Sequence, residues 1–211
     1  MEKSYYIPFS DYAEDRFVEK RSKFTGRLWH VETPEEATAK IKEMRETYWD
    51  ATHHCYAYIL REGNLMRYSD DGEPQGTAGM PILEVLRHER LVDVCCVVTR
   101  YFGGILLGTG GLVRAYTNGA KIAVAASGVS EMSMFSVLLI ACPYNLLGVV
   151  QQLLPAHGCA VEETDYGADV TLTVTQPAGA LGSLNAALAE ATAGQVCAEE
   201  IEQKFMGRRI K

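Results

Sequence analysis

The spacing of apolar residues along the first 131 residues predicts a mixture of strands and helices. Predicted strands cover Phe17–Val31, His54–Leu60, a short stretch that ends at Tyr68, and Val92–Thr99. The last of these is apolar along almost its whole length, as expected for a strand buried on both faces of a sheet. Predicted helices cover Pro34–Tyr48, Thr77–His88 and Thr109–Ala126. The first of them follows Thr33, a residue that caps helices well, and has proline in its first position.

In the rest of the chain, the predicted elements follow the order strand, helix, strand, strand, helix, strand. The predicted elements are Met134–Cys142, Pro143–Pro155, Ala160–Tyr166, Asp169–Gln176, Pro177–Thr192 and Gln195–Gln203. This order is the ferredoxin-like plan, in which two helices cover one face of a four-stranded antiparallel sheet. Gly128 is a plausible end for the preceding helix. We therefore predict an α+β protein of two domains, residues 1–131 and 132–211.

Composition fits a folded protein and limits its partners. Apolar residues make up 47% of the 211 residues, which is enough for a core. The net charge of −7 argues against a nucleic-acid binder that is basic overall, although a local basic patch stays possible. Apolar runs such as Val137–Cys142 are far shorter than the ~18 residues that a membrane span needs. With no apolar signal core near Met1, we expect a soluble cytoplasmic protein without a membrane partner.

The six cysteines predict neither a disulfide framework nor a metal site. They are Cys55, Cys95, Cys96, Cys142, Cys159 and Cys197. None forms a CxxC pair, and most lie in apolar or strand-like stretches, where cysteine behaves as a small buried hydrophobe. The adjacent pair lies in a predicted strand, so its two side chains should point to opposite faces. We predict no metal and no cofactor.

A glycine-rich segment between a buried strand and a helix is the first candidate for chemistry. Its glycines are Gly103, Gly104, Gly108, Gly110 and Gly111, and it is flanked by Arg100 and Arg114. Free backbone N–H groups at such a helix start bind phosphate or carboxylate, and the two arginines could face the same space. The alternative is that the glycines only permit a tight connection and close packing. Neither a Walker A loop nor a dinucleotide-binding loop matches the spacing.

An acidic turn, Ser69–Thr77, is the second candidate. Its polar residues are Asp70, Asp71, Glu73, Gln75 and Thr77. The spacing disfavours a calcium-binding loop, because Pro81 occupies the position at which such a loop has its bidentate glutamate. The alternative is an acidic turn that ends in a helix cap supplied by Thr77 or Gln75.

Two adjacent histidines form the third candidate. At the start of a strand, His53 and His54 should point to opposite sides, so one of them at most serves a given pocket. His53 could pair with a carboxylate of the acidic turn and act as a base, or it could be structural. Cys55 is disfavoured as a nucleophile because its segment is apolar.

A basic stretch, Glu19–Phe24, is the fourth candidate. If it is strand, Arg21 and Lys23 share one face with Glu19. A basic strand beside exposed aromatic residues such as Tyr101 is a common way of holding single-stranded RNA. The alternative is an ordinary solvated strand face.

Four segments, in this order, together resemble the YigZ/IMPACT family. They are Glu19–Gly26, Asp50–Tyr58, Ser69–Pro81 and Val98–Tyr116. The resemblance covers about residues 16–127 for the IMPACT-type domain, and the remainder resembles the small domain of the bacterial YigZ branch. It implies a ribosomal-protein-like α/β domain, similar to domain four of elongation factor G, followed by a domain similar to domain five.

The family resemblance also bears on function. It implies that eukaryotic relatives regulate translation by contacting a ribosome-associated activator of a stress kinase. It supplies no defined catalytic residues. The positions that match the family's motifs are His53, Asp70, Glu73, Gln75, Arg100 and Arg114.

Three functions follow as expectations. The first is a non-enzymatic, translation-associated protein that binds RNA or a ribosome-linked partner. The second is an enzyme or binder of a phosphorylated or anionic small molecule at the Gly103–Gly111 loop. The third is a protein-only interaction module anchored by Tyr101 and Phe102. The anion or RNA site would contain Arg21, Lys23, His53, Arg100, Gly103, Gly104, Gly110, Gly111 and Arg114. The first two functions need Arg100, Arg114, His53 and Glu73 to line one cleft, and the sequence leaves the oligomeric state open.

Overall fold

A computed structural model describes residues 4–211 and divides them into two compact units. The first unit contains Tyr5–Glu131 together with Gly207–Lys211, and the second contains Ser4 and Met132–Met206. Each unit combines helices with a sheet, which confirms the predicted two-domain α+β fold. The predicted limits, 1–131 and 132–211, treated each domain as one continuous stretch. The last residues instead join the first unit, because Val129 exchanges backbone hydrogen bonds with Ile210 and Lys211.

The strands and helices lie close to their predicted places. The strands are β1 (Ser4–Pro8), β2 (Tyr12–Glu19), β3 (Ser22–His30), β4 (His53–Leu60), β5 (Leu65–Ser69), β6 (Val94–Tyr101), β7 (Val129–Cys142), β8 (Ala160–Tyr166), β9 (Val170–Pro177) and β10 (Ala198–Arg209). The helices are α1 (Pro34–Thr47), α2 (Gly79–His88), α3 (Thr109–Ser127), α4 (Leu147–Leu153) and α5 (Leu181–Thr192). Gly128 ends α3 with a positive φ of 74°, as predicted.

The first unit has an antiparallel sheet covered by helices on both faces. Its strand order is β2-β3-β6-β4-β5. Helix α1 packs on one face through Ile41 and Met44, while α2 and α3 pack on the other. Cys95 belongs to the α1 side and Cys96 to the α2 and α3 side, so the prediction that the pair points to opposite faces is confirmed.

The prediction of one strand over Phe17–Val31 is wrong, because the chain turns back on itself at Lys20 and Arg21. These two residues have φ values of 44° and 67°, and β2 pairs with β3 on either side of them. Two-residue hairpin turns of this kind usually carry Asn-Gly or Asp-Gly, so the sequence gives no turn signal here. Arg21 therefore lies in the turn and not on a strand face, whereas Lys23 is exposed on β3.

The second unit has the ferredoxin-like strand order. In its sheet, β7 lies between β9 and β10, and β8 is next to β9. Leu184 and Leu188 of α5 pack with Val150 of α4 and the apolar residues of β7 and β9. Helix α4 is shorter than the predicted Pro143–Pro155. Strand β1, which the pattern did not predict, also pairs with β7.

Candidate functional site

Asp70 organises the acidic turn from inside. Its Oδ1 accepts hydrogen bonds from the backbone N–H groups of Ala78 and Gly79, at 3.0 and 2.8 Å, and its Oδ2 accepts one from Gly76 at 2.8 Å. These donors lie at the start of α2, so Asp70 caps that helix. The prediction that Thr77 or Gln75 supplies the cap is wrong. A loop that folds back brings a more distant carboxylate to the helix start.

Asp71 ties the turn to two neighbouring elements. One carboxylate oxygen accepts a hydrogen bond from the His54 backbone N–H at 2.6 Å, and the other pairs with Arg45 of α1 at 2.7 Å. Its backbone carbonyl lies 2.8 Å from Nδ1 of His53. Asp70 and Asp71 are therefore occupied in holding the turn in place.

Glu73, the third carboxylate, is buried in an ion pair. Its Oε1 lies 2.6 Å from Nη1 of Arg100 and accepts a hydrogen bond from the Tyr116 hydroxyl at 2.7 Å. The side chains of Glu73 and Arg100 are only 4% and 6% exposed. Burial raises the pKa of Tyr116, which keeps its hydroxyl a donor. Arg100 therefore carries a charge that Glu73 already neutralises.

The two histidines point to opposite sides of the sheet, as predicted. A carbonyl only accepts, so the bond from Nδ1 of His53 to Asp71 places a proton on Nδ1. Nε2 of His53 then faces Oε1 of Glu73 at 3.9 Å. His54 instead bonds the Tyr48 carbonyl and the Thr99 hydroxyl on the other face, and burial lowers its pKa.

These residues meet at a cavity of about 420 Å³, which we call the β4–β6 cavity. Polar groups on its wall come from His53, Glu73 and Arg100. The remaining walls are mostly apolar and come from Pro74, Phe102, Leu106, Leu107, Leu112 and neighbouring residues. Phe102 and Leu106 are 45% and 83% exposed, so they stand at the opening of the cavity.

Packing and backbone conformation account for most of the loop glycines. A Cβ at Gly103 would lie 2.1 Å from the backbone carbon of Arg21, so the loop is pressed against the β2–β3 turn. Gly104 and Gly108 have positive φ, and a Cβ at Gly111 would lie 2.9 Å from Leu107. Gly110 is the exception, since the nearest group to its missing Cβ is the Arg114 guanidinium at 3.7 Å.

Arg114 does not join the β4–β6 cavity. It lines a separate hollow of about 270 Å³, together with Glu19 and Lys20. The expectation that Arg100, Arg114, His53 and Glu73 share one cleft is therefore wrong for Arg114. Arg114 belongs to the first turns of α3, and it therefore lies on the α3 side of the loop.

Four exposed cations surround the turn between β2 and β3 and form what we call the basic edge: Lys20, Arg21, Lys23 and Arg114. Within residues 4–211, none of them takes part in an ion pair. The opposite is true of Arg27, Arg45 and Arg100, which all pair with carboxylates. The basic edge thus places four unpaired positive charges where the turn meets the glycine loop.

Comparison with known proteins identifies the family. The Impact N-terminal domain matches residues 20–124, and a domain of unknown function, DUF1949, matches residues 140–195. The IMPACT family member YvyE of Bacillus subtilis is 34% identical over 97% of this chain and 95% of its own. The chain belongs to the IMPACT family. The family member YigZ of Escherichia coli is 35% identical over 87% of this chain and 92% of its own.

Solved structures are also similar to this chain. The crystal structure of a hypothetical protein covers 96% of this IMPACT family chain and 99% of its own, with 34% identity and a TM-score of 0.59. The structure of the two-domain translational regulator Yih1 aligns with 57% of this chain and 48% of its own, at 24% identity and a TM-score of 0.38. The matched Impact N-terminal domain contains the β4–β6 cavity and the basic edge.

Three further observations concern this IMPACT family member. A larger cavity of about 790 Å³ lies between α2 and α3, and it contains none of the predicted site residues. No helix in residues 4–211 is both long and apolar enough to cross a membrane. Tyr116 was missed as a site residue, although a lone tyrosine among the small residues of α3 is a usable signal.

Proposed function

We propose that this protein is a translation-associated RNA-binding protein that uses the basic edge of its first unit and acts without catalysis. The observation that carries the proposal is the set of exposed, unpaired cations Lys20, Arg21, Lys23 and Arg114 beside exposed apolar side chains. The family resemblance supports the link to translation.

The surroundings of the basic edge suit a nucleic acid. The backbone of Arg21 touches the glycine loop at Gly103, so Arg21 lies close to Phe102, which is 45% exposed. Cations hold phosphates, and exposed aromatic rings stack on unpaired bases. Since the whole chain has a net charge of −7, attraction to RNA depends on this local patch and not on the overall charge.

The same geometry speaks against an anionic small molecule at Arg100. Its guanidinium is buried and paired with Glu73, so an incoming anion would have to displace a carboxylate. Phe24 and Phe102 also cover the guanidinium, at 5.5 and 5.4 Å. Arg100 therefore supports the architecture of the site more readily than it binds phosphate.

Binding to an RNA stem-loop, measured from 50 to 200 mM salt, tests the proposal. With four contributing cations, we expect the logarithm of affinity to fall against the logarithm of salt with a slope of about −3. The double variant Arg21→Ala/Lys23→Ala should reduce that slope by about 1.5. Lys40→Ala/Lys42→Ala on α1 is the matched control, because both lysines pair with nearby glutamates. No binding at 50 mM salt, or equal loss in both double variants, contradicts the proposal.

A protein partner is the second candidate, and the exposed apolar loop favours it. Ile105 and Leu106 are 41% and 83% exposed, which is a large apolar surface for a loop. If the partner is a ribosome-linked protein, association with ribosomes should survive ribonuclease treatment and should be lost in Leu106→Asp. If the RNA proposal holds, ribonuclease should release the protein and Leu106→Asp should leave the salt slope unchanged.

A further inference from the structure

We propose that the β4–β6 cavity binds a nucleobase that carries an exocyclic amino group, which means adenine, cytosine or guanine but not uracil. This inference rests on the proposed function in one respect, which is that the base belongs to an RNA. The cavity itself is tested with free nucleosides, so its failure is separate from the failure of RNA binding.

The first step is the hydrogen-bond balance between His53 and Glu73. Nδ1 of His53 donates to the Asp71 carbonyl, so Nε2 is the ring nitrogen that faces Glu73. The 3.9 Å between Nε2 and Oε1 of Glu73 is too long for a direct hydrogen bond. The carboxylate of Glu73 therefore receives no hydrogen bond from His53 and can accept one from an exocyclic amino group.

The second step concerns the atoms that the buried ion pair leaves unused. Oε1 of Glu73 takes the bonds from Arg100 and Tyr116, and Oε2 accepts no hydrogen bond from any residue in the described chain. Nε of Arg100 is buried and also has no partner within residues 4–211. Nε of Arg100 has no accessible surface, so a ligand in the cavity cannot reach it, whereas Oε2 of Glu73 is not among the fully buried atoms. Oε2 is therefore the acceptor of this network that is open to a ligand.

The third step is the match to a base edge. In adenine and cytosine, an amino group lies next to a ring nitrogen that accepts a hydrogen bond. The amino group would donate to Oε2 of Glu73, and the ring would lie against the apolar walls of the cavity. Uracil and hypoxanthine have a carbonyl in place of that amino group, so their oxygen would face the carboxylate of Glu73.

The fourth step is shape. The cavity of about 420 Å³ is large enough for a planar base, and Phe102, Leu106 and Leu107 give it apolar walls. Phe102 is exposed at the opening, where it can stack on a base. Because Glu73 neutralises Arg100, the cavity does not favour a phosphate. A lysine ammonium could donate to Glu73, but it would leave the apolar walls of the cavity unfilled.

The full 211-residue chain is titrated with nucleosides in two matched pairs. Binding is monitored through the amide signals of the cavity residues in NMR spectra. Adenosine is compared with inosine, and cytidine with uridine, because each pair differs by the amino group. We expect the amino-bearing member to bind about tenfold more tightly, as the loss of one hydrogen bond to a charged group implies. Equal binding within both pairs, or no binding by any nucleoside, overturns the proposal.

Two variants locate the effect. Glu73→Gln should remove the preference within each pair, provided that its spectrum shows a folded chain. Phe102→Ala, at an exposed position, should weaken adenosine about tenfold and leave the fold intact. Tyr68→Ala is its matched control, since Tyr68 and Phe102 are both 45% exposed. Equal effects of the two alanine variants, or binding of agmatine in preference to adenosine, count against a base site.

Discussion

Glu73 and Arg100 show at the scale of single residues why family motif positions need not be catalytic. Both charges are buried, and burying a charge without a partner is costly. Nη1 of Arg100 lies 2.6 Å from Oε1 of Glu73, so each charge offsets the cost of burying the other. The Tyr116 hydroxyl donates a further hydrogen bond to Glu73. Their main effect is therefore to fix the ends of β6 and of the acidic turn against α3.

Removing one member of this pair should cost more than removing both. We expect Glu73→Ala to lower the free energy of unfolding by about 3–5 kcal/mol, because it leaves the Arg100 charge buried and unpaired. The double variant Glu73→Leu/Arg100→Met should recover a large part of that loss. Urea unfolding of both variants measures this, and a double variant less stable than Glu73→Ala would contradict the role of charge pairing.

His54 should make stability depend on pH. Burial lowers its pKa, so the unfolded chain binds a proton at a higher pH than the folded chain does. The free energy of unfolding should therefore fall as pH drops below about 6.5, the ordinary histidine pKa, until the folded pKa is passed. The slope contributed by one such group cannot exceed about 1.4 kcal/mol per pH unit.

The variant His54→Gln isolates this contribution. Unfolding measured between pH 7.5 and 5 should show a smaller loss of stability in the variant than in the natural chain. His88→Gln is the control, because the side chain of His88 is 87% exposed. Parallel pH profiles for the natural chain and His54→Gln would rule out the buried imidazole as the cause.

At the scale of elements, the site depends on close backbone contacts that glycine permits. The loop after β6 touches the β2–β3 turn at Gly103, and α3 approaches β3 where Gly26 meets the Gly119 carbonyl. A Cβ at Gly26 would lie 2.0 Å from that oxygen. These contacts bring the basic edge and the β4–β6 cavity to the same end of the first sheet.

Gly103→Ala should therefore displace the loop or the turn. The added methyl would meet backbone atoms at 2.1–2.4 Å, and overpacking of this kind costs about 1–3 kcal/mol. Gly110→Ala is the matched control, because it adds a methyl group inside α3 with no contact closer than 3.7 Å. It should leave stability unchanged or raise it by up to about 1 kcal/mol. Thermal unfolding compares the two, and equal losses would contradict the packing explanation.

At the scale of the whole molecule, the end of the chain completes the first unit. Backbone bonds join Val129 to Ile210 and Lys211, and the Lys211 ammonium lies 2.6 Å from Glu89. The C-terminal residues thus belong to a unit whose other residues precede position 132. The first unit is consequently not a simple N-terminal fragment.

Deleting residues 207–211 should destabilise the first unit. Loss of two backbone hydrogen bonds, two exposed ion pairs and the contact of Arg209 with the Phe9 ring should cost about 2–4 kcal/mol. Native-state hydrogen exchange at amides of β6 and α3 measures the change. Lys211→Ala keeps the backbone bonds and should cost under about 1 kcal/mol. Unchanged exchange after the deletion would show that these residues are dispensable.

The sequence by itself determined the element types, the two-domain α+β fold and the pointing of His53 and His54 to opposite sides. Apolar periodicity, helix caps and glycine stops are local signals, so one chain carries them in full. The family resemblance also marked six motif positions, His53, Asp70, Glu73, Gln75, Arg100 and Arg114. Of these, His53, Glu73 and Arg100 line one cavity.

Only the tertiary structure decided how those residues are used. The turn at Lys20 and Arg21 has no local signal and depends on the strands that pair around it. The partnership of Glu73 with Arg100 and Tyr116 joins residues far apart in sequence, as does the capping of α2 by Asp70. The placement of Arg114 in a separate hollow follows from where α3 begins. Such contacts are set by packing, which periodicity and composition do not encode.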